Sequence, residues 1–135
     1  MKTMSDPLLD AAMNARGHAH AVFSDFKVGA ALEDSAGRIH TGCNIENATY
    51  GLTMCAERIA VFKAMSEGAR KFRRIAIAAD TDKLTPPCGS CRQILWEFGG
   101  DLEIVLANLH DVKGVYRLAD LLPLPFDGRL LGEVR

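Results

Sequence analysis

Glu57 stands two residues after Cys55, and Cys88 and Cys91 follow in the run Pro86-Pro87-Cys88-Gly89-Ser90-Cys91. Three thiols are enough to hold one Zn²⁺ and leave its fourth tetrahedral position to water, which is how catalytic zincs differ from closed structural ones. A carboxylate beside the first thiol has the chemistry to carry protons to and from that water. A closed site would need a fourth ligand from Cys43, His18, His20, His40 or His110, and none of these has a short-spacing partner of the zinc-finger kind. A non-enzymatic structural zinc module is therefore the lesser alternative. Cys43 reads as a buried free thiol, because cysteine behaves as a small hydrophobe.

The charge of such a site sets a further requirement. Three thiolates outweigh the two charges of Zn²⁺ and make it a weak Lewis acid, so something must offset them if bound water is to ionise near neutral pH. Cys55 is expected in the first turn of one helix, and Cys88 and Cys91 in the first turn of another. Residues three apart share a helical face, and helix N-termini favour thiolate over thiol. Arg58 is a candidate to hydrogen-bond a ligand sulfur from behind; a surface ion pair is its alternative reading. Cys55 and Glu57, two apart in a regular helix, would point to different sides. A thiol at the helix cap, outside the regular turn, would relieve this.

Several elements must deliver these residues. Ser5 or Asp6 caps a first helix with Pro7 in its first turn, and Gly17 ends it. Val28 to Leu32 is predicted as a strand and Arg38 to Ile45 as its hairpin partner, across the turn-rich segment 33–37. A second helix is expected from near Thr53 to Gly68, with Ile59, Phe62 and Met65 at helical spacing. Arg74 to Ala79 is a near-continuous apolar strand, as when both faces are covered. A loop from Asp80 to Pro87 leads to a third helix, Cys88 to Phe98. Strands follow at Leu102 to Ala107 and Val112 to Leu118, then a helical turn at Ala119 to Leu122 and a tail from Pro123. The fold class predicted is three-layer α/β/α around a mixed five-stranded sheet, with parallel pairing across right-handed crossovers. Residues 1–135 are expected to form a single catalytic domain.

Composition narrows the function. With 48% hydrophobic and 24% charged residues the chain is ordinary for a globular protein. A formal net charge of −1 argues against a nucleic-acid partner, which calls for a basic stripe. The densest basic run, Arg70, Lys71, Arg73 and Arg74, reads as the solvated end of a helix. No stretch has the length of a membrane span or the pattern of a signal peptide. Thiols kept free for metal suit a reducing compartment, so the cytoplasm is the expected location.

Cys-x-Glu followed at a distance by Pro-Cys-x-x-Cys resembles the signature of zinc-dependent nucleobase deaminases in their three-cysteine form. The resemblance extends to the cytidine deaminase family, specifically its short, homotetrameric type. Phe26-Lys27-Val28-Gly29-Ala30-Ala31-Leu32 is similar to the family's first strand. Gly42-Cys43-Asn44-Ile45-Glu46-Asn47-Ala48-Thr49-Tyr50-Gly51-Leu52-Thr53-Met54-Cys55-Ala56-Glu57-Arg58 resembles its longest motif, and Pro86 to Gln93 its second metal motif. The resemblance covers about residues 5 to 127. It implies hydrolytic deamination of cytidine and 2′-deoxycytidine to uridine and 2′-deoxyuridine with release of ammonia, in pyrimidine salvage. One Zn²⁺ per subunit would sit on Cys55, Cys88 and Cys91, with Glu57 as the proton carrier. Asn44 and Glu46 would grip the ribose 3′-hydroxyl, Phe26 would pack on the pyrimidine, and the Ala56 backbone would bond the base. Asn47, Ala48 and Tyr50 belong to the same substrate-binding motif, Tyr50 reaching across a subunit boundary. Phe126 would close a neighbouring subunit's pocket; its alternative is core burial. The chain departs from the family at Ala19-His20-Ala21-Val22-Phe23-Ser24, where Ala-Tyr-Ala-Pro-Tyr-Ser is common, and around Pro125 to Gly128. Those departures bear on the pocket edge and on substrate breadth. A deaminase of another cytosine nucleoside, such as a blasticidin-type antibiotic, is the competing enzyme; a polynucleotide deaminase would need a basic, aromatic groove.

Overall fold

The computed structural model describes residues 6–110 and 113–132. Helix α1 (Pro7–Arg16) starts where the sequence indicates: the Asp6 carboxylate accepts the Leu8 N–H at 3.0 Å and Pro7 occupies the first turn. Ser5, the other cap candidate, lies outside the described residues. Strands β1 (Val28–Asp34) and β2 (Ile39–Cys43) form the predicted hairpin. They are followed by a 3₁₀ turn (Tyr50–Leu52), α2 (Ala56–Ser66), β3 (Phe72–Ala79), α3 (Gly89–Gly99), β4 (Glu103–Ala107), β5 (Lys113–Arg117), and the short helices α4 (Leu118–Leu121) and α5 (Arg129–Gly132).

The strands make one five-stranded mixed sheet in the order β2-β1-β3-β4-β5. This agrees with the predicted class and corrects the pairing. Among the strands of the described residues only β3 and β4 pair in parallel; β1 lies antiparallel between β2 and β3. The crossover through α2 therefore joins two strands that run the same way but are not neighbours. β4 and β5 form a second antiparallel pair. The fifth strand begins at Lys113, Val112 lies outside the described residues, and Leu118 already belongs to α4. The tail from Pro123 contains α5.

The two faces of the sheet carry side chains of different size. Ala31, Ala76, Ala78, Val105 and Ala107 meet Leu8, Leu9 and Ala12 of α1. On the other face Val28, Leu32, Ile75, Ile77, Ile104 and Leu106 meet Ala56, Ala60, Val61 and Ala64 of α2 and Leu95 of α3. Small residues let α1 sit close to the sheet: a Cβ at Gly29 would lie 1.9 Å from the Ala12 carbonyl oxygen. Gly42 does the same for α2, where a Cβ would lie 2.4 Å from the Ala56 carbonyl oxygen. That contact seats the start of α2 directly on β2. Because β2 and β3 run in the same direction, the N-termini of α2 and α3 both emerge at their C-terminal edge, the usual place for ligand sites in open α/β sheets.

Candidate active site

Cys55 and Cys88 are the N-cap residues of α2 and α3, both with extended backbone, and Cys91 lies in the first turn of α3. The second helix begins at Ala56 rather than near Thr53, because residues 50–52 wind into the 3₁₀ turn and Met54 pairs with Ile45 before the helix can start. The Cys55–Cys88 sulfurs are 3.9 Å apart, the Cys88–Cys91 sulfurs 3.5 Å, and all three lie within 4.8 Å of one another. Sulfurs sharing a tetrahedral zinc at about 2.3 Å would stand roughly 3.8 Å apart. Among the described residues no other His, Cys, Asp or Glu belongs to the cluster. The donor set and spacing fit Zn²⁺ with a fourth position left to a non-protein ligand.

Three sulfurs this close share protons when no cation is bound. The Cys55–Cys91 interaction pulls Cys55 down to about 5, with Arg58 assisting, and drives Cys91 up. The N-terminal ends of the two helices favour the anionic form as well. Arg58 places Nη2 at 3.5 Å from the Cys55 sulfur. The contact is to the sulfur itself.

Glu57 is 5% exposed. Burial is the main cause that pushes its carboxyl up to about 7, and the neighbouring Cys55 charge adds to it. Glu57 lines a cavity of about 180 Å³ together with Phe26, Asn44, Cys55, Ala56 and Cys88. Val28, Thr53, Ile77, Thr85 and Pro86 complete its wall. Thr85 and Pro86 stand three and two residues before Cys88, so the metal motif itself was the signal that could have found them; Val28 and Ile77 read only as core.

The other predicted residues divide. Asn44 is buried, but its amide is already engaged: Oδ1 accepts the Val28 N–H at 2.9 Å and Nδ2 donates to the Phe26 carbonyl at 2.7 Å. It fixes the start of β1 and the backbone of Phe26, a task the motif did not announce. One further proton on Nδ2 and one lone pair on Oδ1 remain in its bonding capacity. Glu46 faces an adjoining recess lined by Phe23, Ser24, Tyr50 and Thr53. Its carboxylate accepts the Phe23 and Ser24 N–H groups at 2.9 and 3.0 Å, and the Ser24 hydroxyl. Those hydrogen bonds, the hydroxyl's foremost, hold its pKa below the usual range. Thr53 borders both spaces. Asn47, Ala48, Tyr50 and Phe126 lie outside the cavity lining. Asn47 ties the 3₁₀ turn through Thr53 and Thr49. Tyr50 is 76% exposed and meets Phe23 edge to face at 6.1 Å. Phe126 is 59% exposed, which excludes core burial in this chain, and its carbonyl accepts from Gln93.

Two sequence expectations change. Cys43 is half-buried rather than buried. The basic run is only partly a helix end: Arg70 donates to carbonyls of Met65 and Ala69, whereas Arg74 lies in β3 and bridges Asp6 and Glu33. A larger open groove of about 770 Å³ beside Trp96, Glu97 and Asp127 contains none of the site residues.

Three thiols at the N-terminal ends of two helices, above a mixed sheet and beside a buried carboxyl group, define a zinc protein with an acid–base group at its metal centre. Residues 3–107 match the family described as the cytidine and deoxycytidylate deaminase zinc-binding region, and the chain belongs to that family. It is 52% identical over 98 residues to a probable cytidine deaminase of Dictyostelium discoideum, covering 72% of this chain and 66% of that protein, slightly under two thirds. It is 44% identical over 122 residues to a cytidine deaminase of Sporosarcina psychrophila, covering 90% of each. The crystal structure of a cytidine deaminase from Burkholderia pseudomallei superposes with a TM-score of 0.86 at 47% identity, over 88% of this chain and 96% of that one. Zn²⁺ is the cofactor of this family, and the thiol trio is the group that fits it here. Among the described residues no helix is long and apolar enough to cross a membrane.

Proposed function

We propose that this chain is one catalytic domain that hydrolyses the exocyclic C4–N bond of cytidine and 2′-deoxycytidine, giving the uridine nucleoside and ammonia. The observation that carries the reading is the placement of a buried carboxyl, Glu57, in one cavity with Cys55 and Cys88. When held by Cys55, Cys88 and Cys91, Zn²⁺ supplies Lewis-acid activation of water.

The chain's own residues do the rest. Glu57, with its pKa raised toward neutrality, accepts one proton of the attacking water and delivers it to ring N3, then takes the second from the hydroxyl added at C4 and passes it to the amine, which leaves as ammonia. Burial keeps it from exchanging these protons with bulk solvent. Phe26 packs on the pyrimidine, and the Ala56 backbone bonds the base. Asn44 and Glu46 bind the ribose 3′-hydroxyl, Asn44 with its remaining bonding capacity and Glu46 from the adjoining recess. Arg58 offsets thiolate charge from behind Cys55.

Self-association as a homotetramer is part of this reading. Val22, Tyr50, Leu52 and Phe126 are each more than half exposed, and covering them with copies of the chain would bury apolar surface. Asn47, Ala48 and Tyr50 then approach a pocket across a boundary, and Phe126 closes a neighbour's cavity. Light scattering checks this: a tetramer is expected, and a monomer active at nanomolar concentration contradicts it. A cytoplasmic location and a place in pyrimidine salvage suit free thiols and free nucleosides.

The activity test incubates zinc-loaded protein with cytidine, 2′-deoxycytidine, blasticidin S or a single-stranded oligonucleotide while ammonia is measured. Release from the two nucleosides is expected. Release from blasticidin S alone would move the assignment to the antibiotic, and release from the oligonucleotide alone would overturn it.

A further inference from the structure

Asn108 lies seventeen residues beyond the last cysteine of the metal cluster, just after β4, and outside every motif that points to the chemistry. It is 1% exposed. Its side-chain Nδ2 donates to the carbonyls of Thr81 at 2.8 Å and Asp82 at 3.2 Å, and its Oδ1 accepts the His110 N–H at 2.8 Å. A buried amide in these bonds is costly to disturb. What it holds is the loop between β3 and α3. That loop contributes Thr85 and Pro86 to the cavity wall and ends in Cys88. Within the loop Thr81 and Thr85 join their hydroxyls at 3.0 Å, so fixing Thr81 also fixes Thr85.

The far end of the same loop has its own anchor. Arg92 donates from Nε to the Pro87 carbonyl and from Nη1 to the Leu121 carbonyl, both at 2.7 Å. The peptide entering Cys88 is thus tied to α3 and α4 independently of Asn108. The two anchors divide the work: Arg92 secures the sulfur ligand, and Asn108 secures the wall that the substrate ring would meet.

We infer that Asn108 is a positioning residue for substrate binding, acting through Thr81 and Thr85 on the cavity wall and not through the metal. This rests on the proposed nucleoside deaminase activity. Because two ends of one loop are held separately, the inference separates binding from metal retention. Loss of the Asn108 donors should raise KM and leave zinc and kcat nearly unchanged.

The test uses Asn108→Ala and the isosteric Asn108→Asp, which keeps the acceptor and removes the amide donors. Zinc content, kcat and KM for cytidine, and hydrogen exchange across residues 80–88 are measured for each and for the wild type. The expected result is KM raised about tenfold, kcat within about twofold, and stoichiometric zinc, with faster exchange in the loop. Unchanged KM, a fall in kcat that tracks zinc loss, or failure of both variants to fold would overturn the inference. Wild-type protein that does not turn over cytidine would defeat the proposed activity instead; loop exchange then decides alone, and a loop as protected in the variants as in the wild type overturns the role given to Asn108.

Discussion

Cys55 and Glu57 border the same cavity although only one residue separates them. In a continuous helix that spacing would turn them apart. The structure resolves this through the cap: Cys55 has extended backbone (φ −74°, ψ 154°), and the helix begins at the next residue. The sulfur is thereby released from the helical direction while Glu57, in the first turn, points into the same space.

This arrangement makes Glu57 separable from the metal. Glu57→Gln keeps the size of the side chain and removes the proposed proton carrier. Its kcat is expected to fall by about 10²–10⁴ with zinc content unchanged. Kinetics and metal analysis on the same sample check this, and wild-type turnover in the variant would remove Glu57 from the mechanism.

Cys88→Ala takes away a ligand that bridges two helix starts. Zinc should fall well below one per chain, and thermal stability should drop, because metal binding is linked to folding. A melting curve with and without added zinc reads both effects: the wild type should shift upward with zinc and the variant should not.

Arg58 has one nitrogen at the Cys55 sulfur, and its buried Nε has no hydrogen-bond partner among the described residues. Arg58→Ala is expected to keep most of the zinc and to lower kcat by about tenfold, the lower end of losses seen for groups behind metal ligands. Equal turnover in variant and wild type would show that the thiolate charge is offset elsewhere.

A pH effect arises far from the site. Asp34, buried at the end of β1, meets His40 at 2.9 Å and accepts the N–H groups of Ala36 and Arg38. The hydrogen bond to His40, first among these, lowers its pKa from 3.8 to about 2. Its folded-state value is below its unfolded one, so its contribution is complete above pH 4 and disappears as pH falls through about 2. The difference in urea midpoint between the wild type and Asp34→Asn should shrink steadily as pH falls from about 4 toward 2.

The chemistry was easier to read in the sequence than the topology. Cysteine and glutamate carry their function in their types and spacing, and the capping of α1 by Asp6 depends on neighbours only. The position of β1 between β2 and β3 is a long-range pairing. A crossover of the same length serves whether it reaches an adjacent strand or skips one, so the segment itself does not encode the choice. The late start of α2 has a similar origin: Thr53 is held by the Asn47 backbone and Met54 by Ile45, contacts that override local helix preference. Asn44 and Glu46 are singled out by resemblance as proposed ribose contacts, but their bonds to the backbone of residues 23–28 depend on a turn that brings that segment alongside, and neither residue's type announces it.

Anomalous diffraction at the zinc edge, from crystals grown with stoichiometric zinc, tests the central claim most directly. One peak is expected among the sulfurs of Cys55, Cys88 and Cys91, with a water or hydroxide completing the tetrahedron on the side of Glu57. No peak there, or a protein atom in the fourth position, would contradict the account.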